Sequence, residues 1–235
     1  AYLGDARRHR VVVRGPDVNA SAWPYRAEGE GALRVGLMAI QGAHEREVRQ
    51  LLEEREARGP FASLAQLLER IPLSIPTVEA LGSAGAFDLW APDGDRTRLL
   101  WQRLGGVPPG LRPRPTDPFD RADLELELMG ITLETHPAAL ARMRKSGGPS
   151  RAQDVQTAGR FLRFWALVVA DKQVSTSKGD AMQFVTFEDE TGLAEAVVFP
   201  PVFGRRRRPY QVGDVVLVQG RSLRQDGLAV LEVTG

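Results

Sequence analysis

The periodicity of apolar residues changes once along this chain, at Gly159, and the change divides the sequence into two kinds of fold. Before it, apolar residues recur at helical spacing, as in the stripe of Val48, Leu51 and Leu52. After it, short runs rich in β-branched and aromatic residues alternate with turn chemistry such as Glu190-Thr191-Gly192, which is typical of strands. The sequence therefore predicts a helical part followed by a β part.

Four helices are predicted in the first part. One covers residues 45–58 and stops at Gly59-Pro60, and the next begins at a capping box, Ser63-Leu64-Ala65-Gln66. The other two are expected to start near Pro76 and to cover about residues 95–104. Shorter helices are expected later, at 120–129 and 137–144.

Five strands are predicted after Gly159, with the widest gap between the third and the fourth. They are Phe161–Ala170, Gln183–Glu188, Leu193–Phe199, Asp214–Arg221 and Leu228–Val233. This arrangement matches a five-stranded Greek-key barrel of the oligonucleotide-binding (OB) type. Pro200-Pro201 and Pro209 predict little helix in the wide gap.

Two short turns have nearly the same sequence: Gly42-Ala43-His44-Glu45 and Gly85-Ala86-Phe87-Asp88. Each follows an apolar helical stretch and precedes another segment predicted to be helical. Glycine at a tight turn lets successive backbone N–H groups point outward, and the following helix adds the positive end of its dipole. Phosphate oxygens are the natural ligands of that geometry. This is the layout of a tandem helix-hairpin-helix, a module that holds the sugar-phosphate backbone of duplex DNA without reading bases.

The residues predicted to contact duplex phosphates are those of the two turns: Gly42, Ala43, His44, Gly85, Ala86 and Phe87. The alternative is that the two Gly-Ala pairs only join packed helices, and the sequence leaves it open. The fold class is predicted to be α+β and multidomain, with an all-α tandem helix-hairpin-helix domain followed by a five-stranded OB-type β-barrel. The predicted bounds are 1–32 for an irregular lead-in from a preceding domain, 33–104 for the hairpin domain, 105–158 for a Pro- and Gly-rich linker with short helices, and 159–235 for the barrel.

OB barrels bind single strands with aromatic platforms and cationic side chains on one face and in the flanking loops. The residues predicted to do so here are Arg163, Lys172, Lys178, Phe184, Arg221 and Arg224. Phe161, Phe164 and Trp165 are ambiguous, because alternation must bury some of them, and the core is favoured for most. A barrel used for protein contact stays open, since ten Lys and Arg from Gly159 onward face nine Asp and Glu.

The sharpest charge run is Arg205-Arg206-Arg207-Arg208, after the third predicted strand. Such a run is usually a solvated loop, and here the four arginines are also candidates for contact with the DNA backbone.

No catalytic or metal-binding residue is predicted. The chain has no cysteine, which excludes disulfides, thiolate zinc sites and a cysteine nucleophile. The three histidines, His9, His44 and His136, follow no ligand spacing, and Glu188-Asp189-Glu190 ends a strand, where neighbouring carboxylates point to opposite faces.

The net charge of the 235-residue chain is only +1, so nucleic-acid contacts would depend on local clusters. No apolar run approaches the roughly 18 residues of a membrane helix, so no membrane partner is expected. No signal segment is recognised at the start of the chain, and the absence of cysteine fits a cytoplasmic protein. The chain starts in mid-pattern at Ala1-Tyr2-Leu3, so we expect a piece of a longer protein.

Matching stretches spread over nearly the whole chain resemble the bacterial DNA polymerase III alpha subunit, from just before its tandem helix-hairpin-helix through its OB domain. The residues that carry the resemblance are Asp17-Val18-Asn19-Ala20-Ser21, Leu33-Arg34-Val35-Gly36-Leu37, Ile40, Gly42, Arg55, Gly59-Pro60-Phe61, Ala84-Gly85-Ala86-Phe87-Asp88, Leu128-Met129-Gly130, His136-Pro137, Lys178-Gly179, Phe184, Glu188-Asp189, Thr191-Gly192 and Val197-Val198-Phe199. Asp5-Ala6-Arg7-Arg8-His9, Ser21-Ala22-Trp23 and Glu188-Asp189-Glu190-Thr191-Gly192 are similar to the error-prone, damage-tolerant branch.

The resemblance implies a parent enzyme that performs template-directed DNA synthesis, in replication or in error-prone repair and translesion synthesis. Its two catalytic metal ions are held by palm-domain aspartates, which would lie before Ala1. The fragment is then expected to need no cofactor, with Mg²⁺ in the missing catalytic domain, and to be inactive alone as a nucleotidyltransferase. The implied partners are duplex and single-stranded DNA, with the sliding clamp and other replication or damage-tolerance proteins as candidates. A bacterial, nucleoid-associated location follows from the same resemblance.

Three rivals remain open on the sequence. One is a stand-alone accessory protein of repair or recombination. A second is a piece of an NAD-dependent DNA ligase, although the nucleotidyl-transfer lysine motif and zinc-binding cysteines of that enzyme are absent here. The third is a tRNA-binding OB module.

Overall fold

The computed structural model describes residues 6, 9, 11–29, 31–91, 95–102, 117–225 and 227–235. The described chain divides into two compact units, one within His9–Glu134 and the other within Thr135–Gly235. Residues 105–116, the first part of the predicted linker 105–158, lie outside the described residues, as do 103 and 104 at the end of the predicted hairpin domain.

The first unit opens with a small sheet. Its strands are β1 (Val12–Arg14), β2 (Arg26–Ala27) and β3 (Ala32–Arg34), in the order β1-β3-β2. Within the lead-in predicted for residues 1–32, β1 agrees with the short strand that Val11-Val12-Val13 predicts, whereas β2 and the pairing of the three strands are not predicted. The strands have two or three residues each, too few to show alternation in the sequence, and β3, the strand that pairs with both others, lies across the predicted domain boundary.

Helices follow the sheet. In chain order they are a 3₁₀ helix (Leu37–Ala39), α1 (Glu45–Arg58), α2 (Leu64–Arg70), α3 (Ile75–Ser83), a second 3₁₀ helix (Asp88–Trp90), α4 (Arg96–Gln102) and α5 (Pro118–Met129). The bounds predicted for α1 are confirmed. The predicted cap is confirmed as well, because the Ser63 hydroxyl accepts a hydrogen bond from the amide of Gln66 at 3.1 Å.

The turn Asp17–Ser21 fastens the sheet to the helices. The side-chain amide of Asn19 pairs with the backbone of Phe61 in both directions, each bond 2.8 Å long. Arg55 donates to the carbonyls of Val18 and Ser21. Val18 and Phe61 are buried in the core of this unit. The residues that carry part of the family resemblance are therefore structural at this turn.

The second unit is a closed barrel with short helices. Its elements are α6 (Pro137–Arg144), a third 3₁₀ helix (Ala152–Gln156), β4 (Phe161–Ser175), β5 (Ala181–Asp189), β6 (Gly192–Val198), α7 (Pro200–Phe203), β7 (Val215–Gln225) and β8 (Leu228–Val233). The strand order β4-β5-β6-β8-β7 closes on itself, which is the OB topology. The predicted fold class, helical hairpins followed by a five-stranded OB-type barrel, is confirmed. The wide gap holds only the four-residue α7.

A bulge in β4 sets which side chains of that strand face inward. The pairing of β4 with β5 shifts between Val168 and Ala170, so residues before and after the bulge alternate in opposite phase. Phe164 and Val168 point into the barrel core before it, and Lys172 points outward after it.

Candidate nucleic-acid interface

The first predicted turn is an exposed helical hairpin. It joins the 3₁₀ helix Leu37–Ala39 to α1, and Gly42 adopts φ 86°, a value that favours glycine. Gly42 and His44 are exposed, and Ala43 is half-buried. His44 is the N-cap residue of α1, yet its side chain accepts no hydrogen bond from the first turn of the helix. The amides at the start of α1 are therefore left open to an external acceptor.

The partner of this hairpin is the turn Ile71–Ser74 between α2 and α3, rather than the second Gly-Ala turn. The amide of His44 donates to Thr77 Oγ1 at 3.1 Å, and Ser74 Oγ lies 3.4 Å from His44 Nδ1. The start of α3, like that of α1, has no cap from its own N-cap side chain. Two helix N-termini of a tandem helical hairpin thus meet at His44 and Ser74, and their dipoles favour a shared anion.

Glu47 ties the two hairpins together. Its carboxylate accepts hydrogen bonds from the Ser74 amide at 3.1 Å and the Ser74 hydroxyl at 2.8 Å. Burial raises the pKa of Glu47, but hydrogen bonds from Thr77, Ser74 and His44 outweigh it and lower the pKa to about 2. The carboxylate therefore holds the N-cap residue of α3 and adds a negative charge beside the place where a phosphate would bind.

Side-chain charge around the hairpins nearly cancels. Glu45 pairs with Arg49 at 2.7 Å, and Arg49 also lies over the ring of Trp23. Arg46 is exposed in the first turn of α1. Attraction for phosphate at this surface would therefore come chiefly from backbone amides, with His44 and Arg46 at the edge.

The prediction that Gly85, Ala86 and Phe87 contact phosphate is wrong for the described structure. All three are buried. The amides of Gly85 and Ala86 donate to the carbonyls of Gly82 and Leu81, at 3.0 and 2.9 Å, and Gly85 has φ 92°. This is a Schellman motif that ends α3, and it consumes the donors that a phosphate would need.

The glycine of the second Gly-Ala turn is required by the packing around it. Arg96, which is buried, donates to both carboxylate oxygens of Asp88 at 2.7–2.8 Å and to the carbonyl of Ser83 at 2.9 Å. A Cβ atom at Gly85 would collide with that guanidinium and that carboxylate. Both turns contain glycine because both need a positive φ, so the repeat in sequence does not mark a repeat in function.

The register of the barrel brings four predicted or ambiguous residues into one row on its outer surface. Lys172 is opposite Phe184, Phe184 is opposite Val197, and Arg221 is opposite Phe161, with Glu232 between Val197 and Arg221. Directly opposed residues lie on the same face of a sheet, about 5 Å apart. We call this set the outer row: Lys172, Phe184, Val197, Glu232, Arg221 and Phe161.

Two aromatic rings of the outer row are open to solvent. Phe184 is 48% exposed and Phe161 is 57% exposed, whereas Phe164 and Trp165 are buried. The expectation that the core takes most of the ambiguous aromatics holds for Phe164 alone, since Trp165 is buried outside the barrel core and Phe161 is exposed. Alternation alone could not separate them, since Trp165 is on the outer face but is covered, with Lys145 Nζ 5.5 Å from its ring.

The remaining predicted cations surround the outer row without joining it. Arg163 is two residues beyond Phe161 on β4, Lys178 is in the β4–β5 loop, and Arg224 is at the end of β7. Among the described residues, none of the five predicted cations forms an ion pair: Arg163, Lys172, Lys178, Arg221 and Arg224. Exposed cations without acidic partners are available to phosphate.

The arginine run Arg205–Arg208 is divided by the fold. The guanidinium of Arg206 lies 3.5 Å from the ring centroid of the buried Tyr210. Arg208 donates to both oxygens of Asp214 at 2.8 Å, and this bond is the largest cause of a lowered pKa at Asp214. Arg205 and Arg207 are exposed. Arg206 and Arg208 stabilise the connection after β6, which leaves the other two as candidates for backbone contact.

The family motif Glu188–Gly192 closes one end of the barrel. Asp189 is buried and accepts hydrogen bonds from the amide of Ala152 at 2.9 Å and from the amide and hydroxyl of Thr191. Glu190 pairs with Arg142 and Arg151. These acidic residues hold α6 and the third 3₁₀ helix on the barrel. Across the described part of the chain, no group of three or more His, Cys, Asp or Glu side chains is placed to hold a metal ion.

Two family models match the two units. A helix-hairpin-helix motif matches residues 10–99, and an OB-fold nucleic acid binding domain matches residues 156–232. Nearly the whole chain is similar to proteins named error-prone DNA polymerase. The chain is a relative of these polymerases. The identity is 34% to the protein of Burkholderia mallei and 35% to that of Anaeromyxobacter dehalogenans, in each case over 92% of this chain, and 32% to that of Mycolicibacterium paratuberculosis over 97%.

The chain spans only about a fifth of the length of these relatives, 21–22%. The second OB-fold domain of replication protein A from Methanococcus maripaludis aligns with 33% of this chain at 19% identity and a TM-score of 0.27, too low to bear on the fold. No helix within the described ranges is long and apolar enough to span a membrane.

Proposed function

We propose that this chain is a DNA-binding portion of an error-prone DNA-directed DNA polymerase of the polymerase III alpha type. The helical unit would hold duplex DNA through phosphate contacts, and the barrel would hold the single-stranded template, in replication or translesion repair synthesis. The observation that carries the proposal is the combination, in one chain, of a helix-hairpin-helix match, an OB match and similarity over 92–97% of its length to error-prone polymerases.

The duplex contact is assigned to the first hairpin alone. Gly42 and the amides at the start of α1 are exposed, whereas those of the Gly85 turn are consumed. His44 adds a side chain at the same surface. The N-terminus of α3 lies beside it and adds a second helix dipole, although the Ser74 amide there already donates to Glu47.

The single-strand contact is assigned to the outer row and the cations around it. Stacking on Phe184 would supply affinity without base preference, and Lys172, Lys178, Arg163, Arg221 and Arg224 would follow the phosphates. Arg205 and Arg207 are proposed as further backbone contacts.

Catalysis and the Mg²⁺ ions that it requires are assigned to the rest of the parent polymerase, which would act in the cytoplasm. The sliding clamp is a candidate partner of this portion. The stand-alone accessory protein remains the rival. It would share the DNA binding and would not require a catalytic domain in the same chain.

The proposal is tested by a titration across ionic strength with duplex, (dT)10 and tRNA as probes. Phosphate-led binding predicts that log K falls linearly with log salt, by about 0.9 per phosphate neutralised on duplex and about 0.7 on a single strand. A flat response with both DNA forms, or a clear preference for tRNA in competition, would overturn it.

A further inference from the structure

The outer row carries its aromatic and cationic side chains in two separate pairs. Lys172 lies beside Phe184 at one end, where β4 meets β5, and Arg221 lies beside Phe161 at the other, where β7 meets β4. Between them are Val197, which is only 4% exposed, and the half-buried, acidic Glu232. Neither middle residue offers a flat apolar surface or a positive charge to a nucleotide.

We infer that the barrel has two separate base-stacking sites, Phe184 with Lys172 and Phe161 with Arg221, and that Phe161 is a DNA-binding residue. This rests on the proposed single-strand function and extends it, because it fixes where bases stack and how long a strand must be to use both sites.

The spacing of the two sites follows from the register. Phe184 and Phe161 are four strand-to-strand steps apart along the outer row. At about 4.8 Å a step, the path between them around the wall of the closed barrel is about 19 Å. Stacked nucleotides of one strand rise about 3.4 Å each, so a trinucleotide reaches one site and a decanucleotide reaches both.

The chemistry of each site is that of a base platform with a phosphate clamp. An exposed phenylalanine ring stacks on any base, and the cation directly opposite is about 5 Å away, within reach of the adjoining phosphate. Arg163, two residues beyond Phe161 on the same outer face and exposed, adds a second cation to that site. The acidic Glu232 would direct the intervening phosphates away from the barrel wall.

The test compares Phe161→Ala, Phe184→Ala, the double variant and Phe161→Leu in the full chain, with (dT)3 and (dT)10 as probes in fluorescence anisotropy. Phe161→Leu keeps an apolar side chain but loses the flat ring. Met143→Ala is the control, since Met143 is 68% exposed on α6 and outside the row. Thermal melts establish that each variant is folded, which is expected because both rings are exposed.

With (dT)10, each alanine variant and Phe161→Leu should bind roughly fivefold to a hundredfold more weakly, the loss expected for one stacked base. With (dT)3, each single variant should lose no more than about twofold, because the other site remains, and the double variant should lose binding altogether. If Phe161→Ala and Phe161→Leu bind (dT)10 as the unsubstituted chain does, while Phe184→Ala is weakened, the second site is refuted and the proposed function stands. If the unsubstituted chain binds neither oligonucleotide, both fail.

Discussion

Two glycines, Gly42 and Gly85, show how similar residues can have unrelated tasks in this protein. Gly42 and Gly85 both adopt a positive φ and are both followed by alanine. Gly42 leaves its surroundings open, since a Cβ atom there would be 3.5 Å from that of Ala80, an ordinary contact. Gly85 is enclosed by Arg96 and Asp88. The sequence could predict the backbone conformation of both turns, but not that distant Arg96 packs against one of them.

Replacing Gly85 by alanine should destabilise the first unit by about 2–3 kcal/mol, because a left-handed φ is strained for alanine and the Cβ displaces a buried ion pair. Gly42→Ala is the matched control and should cost about 1 kcal/mol from its φ alone. Urea denaturation of both variants checks the difference. Equal losses would show that the Arg96 packing is unimportant.

The charge of Glu47 should make stability depend on pH in the acidic range. Its pKa is lowered to about 2 in the folded protein, so its contribution is present above the unfolded value near 4.3 and is lost as the pH falls toward 2. Glu47→Gln should make the denaturation midpoint depend less on pH, between pH 5 and about 2, than it does in the unsubstituted chain. It should also strengthen duplex binding at pH 7, because a negative charge beside the hairpin is removed. A pH profile unchanged by the substitution would contradict the assigned role.

At the scale of elements, caps and pairings decide what the sequence can and cannot show. The helix bounds at Glu45–Arg58 and Pro137–Arg144 were predictable because caps and breakers are local signals. The second hairpin at Ile71–Ser74 was missed because it has no glycine, and its signal is a serine N-cap before Pro76. Lys172 points outward because of a bulge in β4, and the bulge can be recognised only from the pairing of the strands, not from the sequence.

Asp189 is predicted to hold the third 3₁₀ helix on the barrel. Asp189→Ala leaves the amides of Ala152 and Thr191 without their acceptor inside a buried site, which should cost about 2–4 kcal/mol. Hydrogen exchange should accelerate at Ala152 and Thr191 more than at the centre of β5. Thr186→Ala is a control on the same strand, where the hydroxyl bonds only the exposed Glu195. Uniform protection in the Asp189 variant would show that this contact does not hold the helix.

At the scale of the whole molecule, the sequence was sufficient to predict two nucleic-acid modules and their order. The switch from helical periodicity to alternation, and the five strands with one wide gap, depend on residues close in sequence. The sequence predicts less well which residues form the binding surfaces, because Phe161 and Arg221 are 60 positions apart and meet only when their strands pair. Under the proposed function, one unit binds duplex DNA and the other binds the single strand.

The most direct measurement is the affinity of paired variants for a duplex and for (dT)10. His44→Glu puts a negative charge at the open start of α1, and Gln50→Glu, on the exposed side of the same helix, is its charge-matched control. Lys172→Gln combined with Phe184→Ala removes one end of the outer row. His44→Glu should weaken duplex binding about tenfold and change (dT)10 binding by no more than about twofold, and the barrel variant should do the reverse. If either variant weakens both DNA forms equally, or if neither changes the form assigned to it, the division of labour between the two units is contradicted.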